Sequence, residues 1–370
     1  AVRQAAGLFD IGHMGLFEFS GDNVHLFLTT LTTNDVSLLE VGQAHYTFLL
    51  DPAGHVIDDA YLYRLEKERY WLMVNAANTD KDWAWITGVR QGRVLIDPER
   101  PWSRALGTET VVVRYLARER VQMALQGPRS RDILLSMLDD DDGAQREVLE
   151  EMKRNQIRHM RLAGYDLYLS RTGYTGEPVA YEIFVHPAAA PALWHALLEA
   201  GEPLGLKPAG LGARDSLRIE AGLPLYGHEL AGSLDLNPAD AGFAPYVKLY
   251  KPFFVGKPAY DRHERERQAR LIRFRFDEEH ARIPRQGDVV VNRKGRVVGA
   301  VTSASIDSDG RLVGLAYVQQ QYADRGTRLG IFQVDTRSWA DKPLAELKTG
   351  DRVQLHDDIT VIRRFLNKKE

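Results

Sequence analysis

The stretch from His45 to Val74 constrains the fold most. An apolar run, His45-Tyr46-Thr47-Phe48-Leu49-Leu50, meets the turn Asp51-Pro52-Ala53-Gly54. A second run spans His55 to Arg64, and the charged turn Glu66-Lys67-Glu68 leads into a third from Tyr70 to Val74. Apolar runs punctuated in this way read as an antiparallel meander. Helices are expected on both sides of it, over Asp22 to Thr33 with Asp22 near the N-cap, and over Thr79 to Val89 with Trp83 and Trp85.

The middle of the chain repeats the mixture. Strands are predicted at Val121 to Leu125, Asp166 to Ser170 and Tyr181 to Val185, with helices from the Gly127-Pro128 turn to Leu138 and over Pro191 to Ala200. Helices alternate with hairpins without a regular strand-helix-strand beat, so the fold class is α+β with antiparallel sheets. Gly210-Leu211-Gly212-Ala213-Arg214 resembles the start of a dinucleotide fingerprint, but it lacks the third glycine and a directly preceding strand, which removes the Rossmann reading. The mixed charge run Tyr260 to Arg267 reads as a solvated helix or linker at a domain boundary. Beyond it, runs at Leu271–Phe276, Val289–Val291, Val297–Ser303, Leu312–Val318 and Val353–Leu355 suggest a small antiparallel barrel. A body over 1–265 and a barrel over 266–370 follow, and 370 residues are ample for both.

Composition narrows the chemistry. Lys+Arg 48 against Asp+Glu 51 gives a net charge of -3, so no global basic field exists to hold nucleic acid. The chain has no cysteine, which removes thiolate nucleophiles, Cys-ligated zinc and iron-sulfur clusters. Its 11 histidines show no metal-binding spacing, so no metal is expected. Charges break the apolar stretches before the roughly 18 residues a membrane span needs, and no signal pattern opens the chain. A cytoplasmic protein, acting as a monomer, is the expectation.

Two places can carry chemistry. Asp58-Asp59 lies within the second meander strand, where neighbours face opposite sides. Either both carboxylates sit in solvent at a strand end, or one is a desolvated acid with a raised pKa or a fixed negative charge beside a cationic intermediate. The segment Arg171-Thr172-Gly173-Tyr174-Thr175-Gly176-Glu177 leads from one strand to Tyr181-Glu182 on the next. It is either an ordinary hairpin or a loop whose glycines let a flat ligand approach Tyr174 while a carboxylate accepts paired N–H groups. Arg214, near a helix start, either pairs on the surface or points at an anion.

Leu8-Phe9-Asp10-Ile11-Gly12-His13-Met14-Gly15, Thr33-Asn34-Asp35-Val36, Ile57-Asp58-Asp59, Val74-Asn75-Ala76-Ala77-Asn78, Leu125-Gln126-Gly127-Pro128, the 171–177 segment, Gly210 to Asp215 and Leu225-Tyr226-Gly227 occur in this order. The ordered set resembles the T-protein family of the glycine cleavage system, the tetrahydrofolate-dependent aminomethyltransferases. The resemblance implies a two-lobed folate-binding body with a C-terminal β-barrel. The implied reaction splits the aminomethyl group carried on the lipoyl arm of the H-protein, releases ammonia and passes the methylene to tetrahydrofolate. Lipoylated H-protein and tetrahydrofolate, as co-substrate, are the implied partners, in one-carbon metabolism and glycine catabolism. On the same basis Asp59 looks like the catalytic carboxylate, Glu182 the pterin-binding glutamate and Arg214 the arginine of the folate site. Tyr46, Tyr63 and Asn75 fall on strands lining that cavity, and Tyr174 adds its aromatic face.

The family carries a few dozen residues ahead of its Phe-Asp motif, so a preceding segment is expected to be missing. Four residues separate Glu177 from Glu182 where the family usually has three. Related enzymes demethylate oxygen, sulfur or other amines on the same body, which makes such a demethylase the alternative. Folate-binding relatives in iron-sulfur assembly carry a hallmark cysteine that is lacking here.

Overall fold

In the computed structural model the described residues are 1–138, 143–278, 281–333, 346–353 and 357–366. The first part of the chain runs β1 (Ala6–Asp10), β2 (Gly15–Ser20), α1 (Val24–Leu31), β3 (Gln43–Leu50), β4 (Val56–Glu66), β5 (Arg69–Val74) and α2 (Thr79–Arg90). There follow β6 (Val112–Tyr115), β7 (Val121–Gln126), α3 (Ser130–Ser136), α4 (Gly143–Glu151), β8 (Ile157–Leu162), β9 (Tyr165–Ser170), β10 (Ala180–Val185), α5 (Ala190–Gly201), β11 (Leu206–Ala209) and α6 (Leu211–Ala221). The chain then forms α7 (Lys257–Glu266) and six strands, β12 (Ala269–Phe276), β13 (Val289–Val291), β14 (Val297–Ile306), β15 (Leu312–Gln319), β16 (Arg328–Phe332) and β17 (Asp357–Ile362).

Two compact units divide these elements: Ala1–Arg214 with Tyr246–Ala259, and Asp215–Pro245 with Tyr260–Glu370. Residue 265, the sequence-based cut, stands in the last turn of α7, and residues 215–245 group with the second unit.

The first unit holds two sheets. One has the order β3-β4-β5-β2-β6 and is antiparallel throughout, with the meander β3-β4-β5 as expected. The other has the order β11-β1-β7-β10-β9-β8, antiparallel except where β1 and β11 run together. Each sheet buries one face under helices. Phe17, Phe19, Ala60, Leu62 and Leu72 pack with Val24, Phe27 and Leu28 of α1 and with Ile86 and Val89 of α2. Leu125, Leu169, Ile183 and Val185 pack with Ile133 of α3, Leu149 of α4 and Leu193 and Leu197 of α5. A third cluster joins residues of the two sheets, with Leu16, Tyr63, Trp71 and Met73 against Ile157 and Phe184. Its rings interlock, Trp71 lying 4.7 Å from Tyr168 and Tyr63 5.4 Å from Phe184. Each fully buried ring contributes about 2–3 kcal/mol, so this seam holds together the faces of the two sheets that the helices leave uncovered.

The second unit closes six strands into the barrel β12-β15-β14-β13-β16-β17, filled by Phe274, Val290, Val301, Ala316, Ile331 and Ile359.

Several expectations shift locally. Helix α1 starts after its N-cap Asn23, which takes φ 63°, with Asp22 one residue before the cap. Of the run expected at Val353–Leu355, Leu355 lies outside the described residues, and Val353 makes a single backbone pairing with Gly295 rather than a strand. β16 and β17 close the barrel instead.

Candidate active site

Strand β4 alternates, and the alternation sorts its residues. Ala60 and Leu62 face the helices, whereas Tyr61 and Tyr63 face the other sheet. Asp59 shares the side of the tyrosines and Asp58 the side of Ala60. Asp58 is therefore not the outward neighbour that a half-exposed strand would give. It is fully buried, under the turn Asn75–Asn78 that leads into α2.

Asp59 is held from two sides. Tyr46 on β3 donates its hydroxyl to Asp59 Oδ2 at 2.7 Å, and Asn75 Nδ2 donates to Oδ1 at 2.9 Å. The Tyr46 contact is diagonal across the ladder, because Tyr46 pairs with Tyr61 and Asp59 with Phe48. Burial, and then the negative charge of Asp58, push the Asp59 carboxyl up to about 7, while the Tyr46 and Asn75 hydrogen bonds pull the other way. Asn75 stands one residue beyond β5, not on the strand. Its amide reaches Asp58 Oδ1 at 2.9 Å and the Asp59 carbonyl at 3.1 Å as well.

A row of tyrosines leads away from this carboxylate. Tyr46 lies 6.2 Å from Tyr61, ring to ring, and Tyr61 lies 5.5 Å from Tyr63. At the end of the row Tyr63 donates to Glu182 Oε2 at 3.1 Å. Thr172, at the start of the loop between β9 and β10, also donates to Glu182 Oε2. Both donors fall on one oxygen, so Oε1 receives none among the described residues. Burial raises the Glu182 pKa, and the Thr172 hydroxyl, Arg214 and Tyr63 oppose that rise. Phe9, Ala124, Gln126, Tyr174, Thr175 and Arg214 line a small pocket with Glu182. The Arg214 guanidinium lies over the Tyr174 ring, 4.7 Å from its centre, a cation–π contact that orients both side chains.

Glycines shape this loop for packing. A Cβ on Gly173 would stand 2.2 Å from Gln126 Oε1 and 2.7 Å from Ala180 Cβ, so the chain passes here only as glycine. Gln126 Nε2 in turn donates to the Tyr181 carbonyl at 3.1 Å, and Thr175 Oγ1 donates to Gln126 Oε1 at 3.0 Å. Glu177 is turned aside: Arg3 donates to its Oε1 at 2.8 Å and to the Thr175 carbonyl at 2.6 Å.

The structure thus brings Asp59, Tyr46 and Asn75 together, and Glu182, Tyr63, Tyr174 and Arg214 together, with Tyr61 between the two sets. Tyr61, whose hydroxyl donates to Asn155 Oδ1 at 2.6 Å, and Thr172 were not singled out from sequence. The alternation of Asp59, Tyr61 and Tyr63 on one strand face was the signal for Tyr61. Among the described residues no group of acidic and histidine side chains could hold a metal ion.

Comparison with known proteins bears on this arrangement. The family model of the GCVT N-terminal domain matches residues 1–251. An aminomethyltransferase of Alkaliphilus oremlandii is 39% identical over 334 residues, covering 90% of this chain and 83% of that protein. One of Chlorobaculum tepidum is 37% identical over 328 residues, covering 88% and 83%. The crystal structure of glycine cleavage system aminomethyltransferase T from Bartonella henselae superposes with a TM-score of 0.76 at 27% identity, covering 98% of this chain and 86% of that one. The motifs, the two sheets with their barrel and these likenesses agree, and the chain belongs to the GCVT aminomethyltransferase family.

Proposed function

We propose that Asp59 is the catalytic carboxylate of this enzyme and that the pocket at Glu182 receives the pterin of tetrahydrofolate. The activity is tetrahydrofolate-dependent aminomethyl transfer in glycine cleavage. In our reading the aminomethyl group arrives on a lipoyl sulfur of the H-protein; its C–N and C–S bonds break, the two folate N–H protons leave with ammonia and the lipoyl thiol, and its carbon bonds to two folate nitrogens as a methylene. Expelling the sulfur leaves an iminium ion and expelling the nitrogen a sulfur-stabilised cation, so the carbon is cationic on either route. A carboxylate held beside that carbon stabilises the developing cation, and one that titrates near neutrality can also accept and return a proton. Asp59, pushed up to about 7, meets both demands. That carboxylate, clamped between the Tyr46 hydroxyl and the Asn75 amide, is the observation that carries the proposal.

Glu182 suits the pterin because one of its oxygens is anchored and the other is left for a ligand donor. The Tyr174 ring offers a flat apolar face. Arg214 makes no side-chain hydrogen bond among the described residues, so its N–H groups serve an acceptor on the folate. We place the enzyme in the cytoplasm, working as a single chain. Among the described residues no helix is long and apolar enough to cross a membrane.

Calorimetric titration of tetrahydrofolate into the Glu182→Ala variant tests the pocket. Loss of a hydrogen bond to a charged group, about 1.5–3 kcal/mol, weakens affinity about 10- to 100-fold. Wild-type affinity in that variant would remove Glu182 from the site.

A further inference from the structure

Asp58 leads to a group that the reading above leaves unused. A carboxylate can accept about four hydrogen bonds. Asp58 takes the Asn75 backbone N–H on Oδ2 at 2.9 Å, and on Oδ1 the Asn75 amide at 2.9 Å and the Asn78 amide at 2.5 Å. The carboxyl of Asp82 lies beside it, one turn along α2 from Asn78 and on the same face of the helix. Asp82 is fully buried, and both of its oxygens are buried without a hydrogen-bond partner among the described residues. Two buried carboxyl groups keep such a contact only by sharing a proton. Asp58 has three amide donors and Asp82 none, so the proton resides on Asp82 and Asp58 carries the charge.

We propose that Asp82 is a positioning residue for methylene transfer: as a neutral acid it donates to Asp58, and through Asp58 it fixes the Asn75 amide that orients Asp59. The inference rests on the reading of Asp59 as the catalytic group. An amide nitrogen has two hydrogens, and Asn75 spends one on Asp58 and the other on Asp59 and its carbonyl. If Asp58 turns, Asn75 turns with it. Burial, and then the charge of Asp58, push the Asp82 carboxyl up to about 10, with Asp59 adding to the rise and Lys81 opposing it. The helix N-terminus favours an ionised Asp82 modestly, which falls short of the repulsion between two like charges in contact. Tyr46 is the other titratable group facing the cluster, and burial raises its pKa well above the ordinary value.

Infrared difference spectra of the whole protein, wild type minus Asp82→Asn at mildly alkaline pH, read the proton directly. A neutral carboxyl band present in the wild type and lost in Asp82→Asn is expected, and its absence would overturn the proposal whatever the activity. Rates supply a second readout. Asp82→Asn still donates to Asp58 and keeps kcat within about 3-fold, whereas Asp82→Ala lowers kcat about 10- to 100-fold at an unchanged KM for tetrahydrofolate. Wild-type kcat in Asp82→Ala would also overturn it, and should that variant not fold, the infrared result decides. An Asp59→Asn variant that kept its rate while the Asp82 band was present would instead sink the Asp59 reading alone.

Discussion

Asp58 and Asp59 are neighbours of the same chemical type, and the strand assigns them to opposite environments. Asp58 is met by amides and by an acid, and works as an internal anchor. Asp59 is met by one hydroxyl and one amide, and opens toward the tyrosine row. Its stability sign follows from the raised pKa. The unfolded carboxyl loses its proton near 3.8 and the folded one near 7, so Asp59's contribution is fully present below about 3.8 and lost as pH rises through about 7. Asp59→Asn removes that loss and raises the melting temperature above pH 7, by the equivalent of about 1 kcal/mol or more, while transfer falls. A thermal melt across pH 5–9 checks the sign. Asp58→Asn removes one cause of the raised pKa, so the acid limb of the transfer profile moves below about 7; a pH–rate profile reads the shift. Alternation along Val56 to Tyr63 already separates the two aspartates in the sequence. It does not show which face is solvent, because that depends on the Asn75 turn and α2 closing over Asp58, contacts made at 17 and 20 residues' distance.

At the level of elements, the loop between β9 and β10 carries the second half of the site. Its two glycines are readable as a tight turn, but their purpose is not: Gly173 is required by Gln126 of β7, a strand far off in sequence. Gly173→Ala should cost about 1–3 kcal/mol of stability by overpacking and weaken tetrahydrofolate binding together with it, because Thr172 and Tyr174 flank the displaced residue. Urea unfolding and calorimetry on the same variant measure both, and a normal unfolding midpoint would mean that the loop tolerates the methyl group. The meander is legible because turn residues separate its apolar runs, and α5 because its buried leucines, Leu193 and Leu197, repeat at helical spacing. Strands β16 and β17 are not, since Arg328 with Gly330 in one and Asp357-Asp358 in the other hide short apolar cores. They become strands because the barrel must close, a demand set by the other four.

For the molecule as a whole, the resemblance rests on eight short motifs spread over more than half of the chain, and the fold brings several of them together. The Ile57-Asp58-Asp59 and Val74 to Asn78 segments form one carboxylate-amide cluster, and the Arg171 to Glu177 segment and Arg214 bound one pocket. The fold thus gathers residues distant in sequence into the two parts of the proposed site. The most direct measurement is ammonia release from aminomethylated H-protein, with and without tetrahydrofolate, by the wild type and by Asp59→Asn. Release by the wild type should require folate, and Asp59→Asn, folded and still binding folate, should be slower by roughly 10²-fold or more. Release at the wild-type rate by Asp59→Asn, or no folate-dependent release by the wild type, would contradict the assignment.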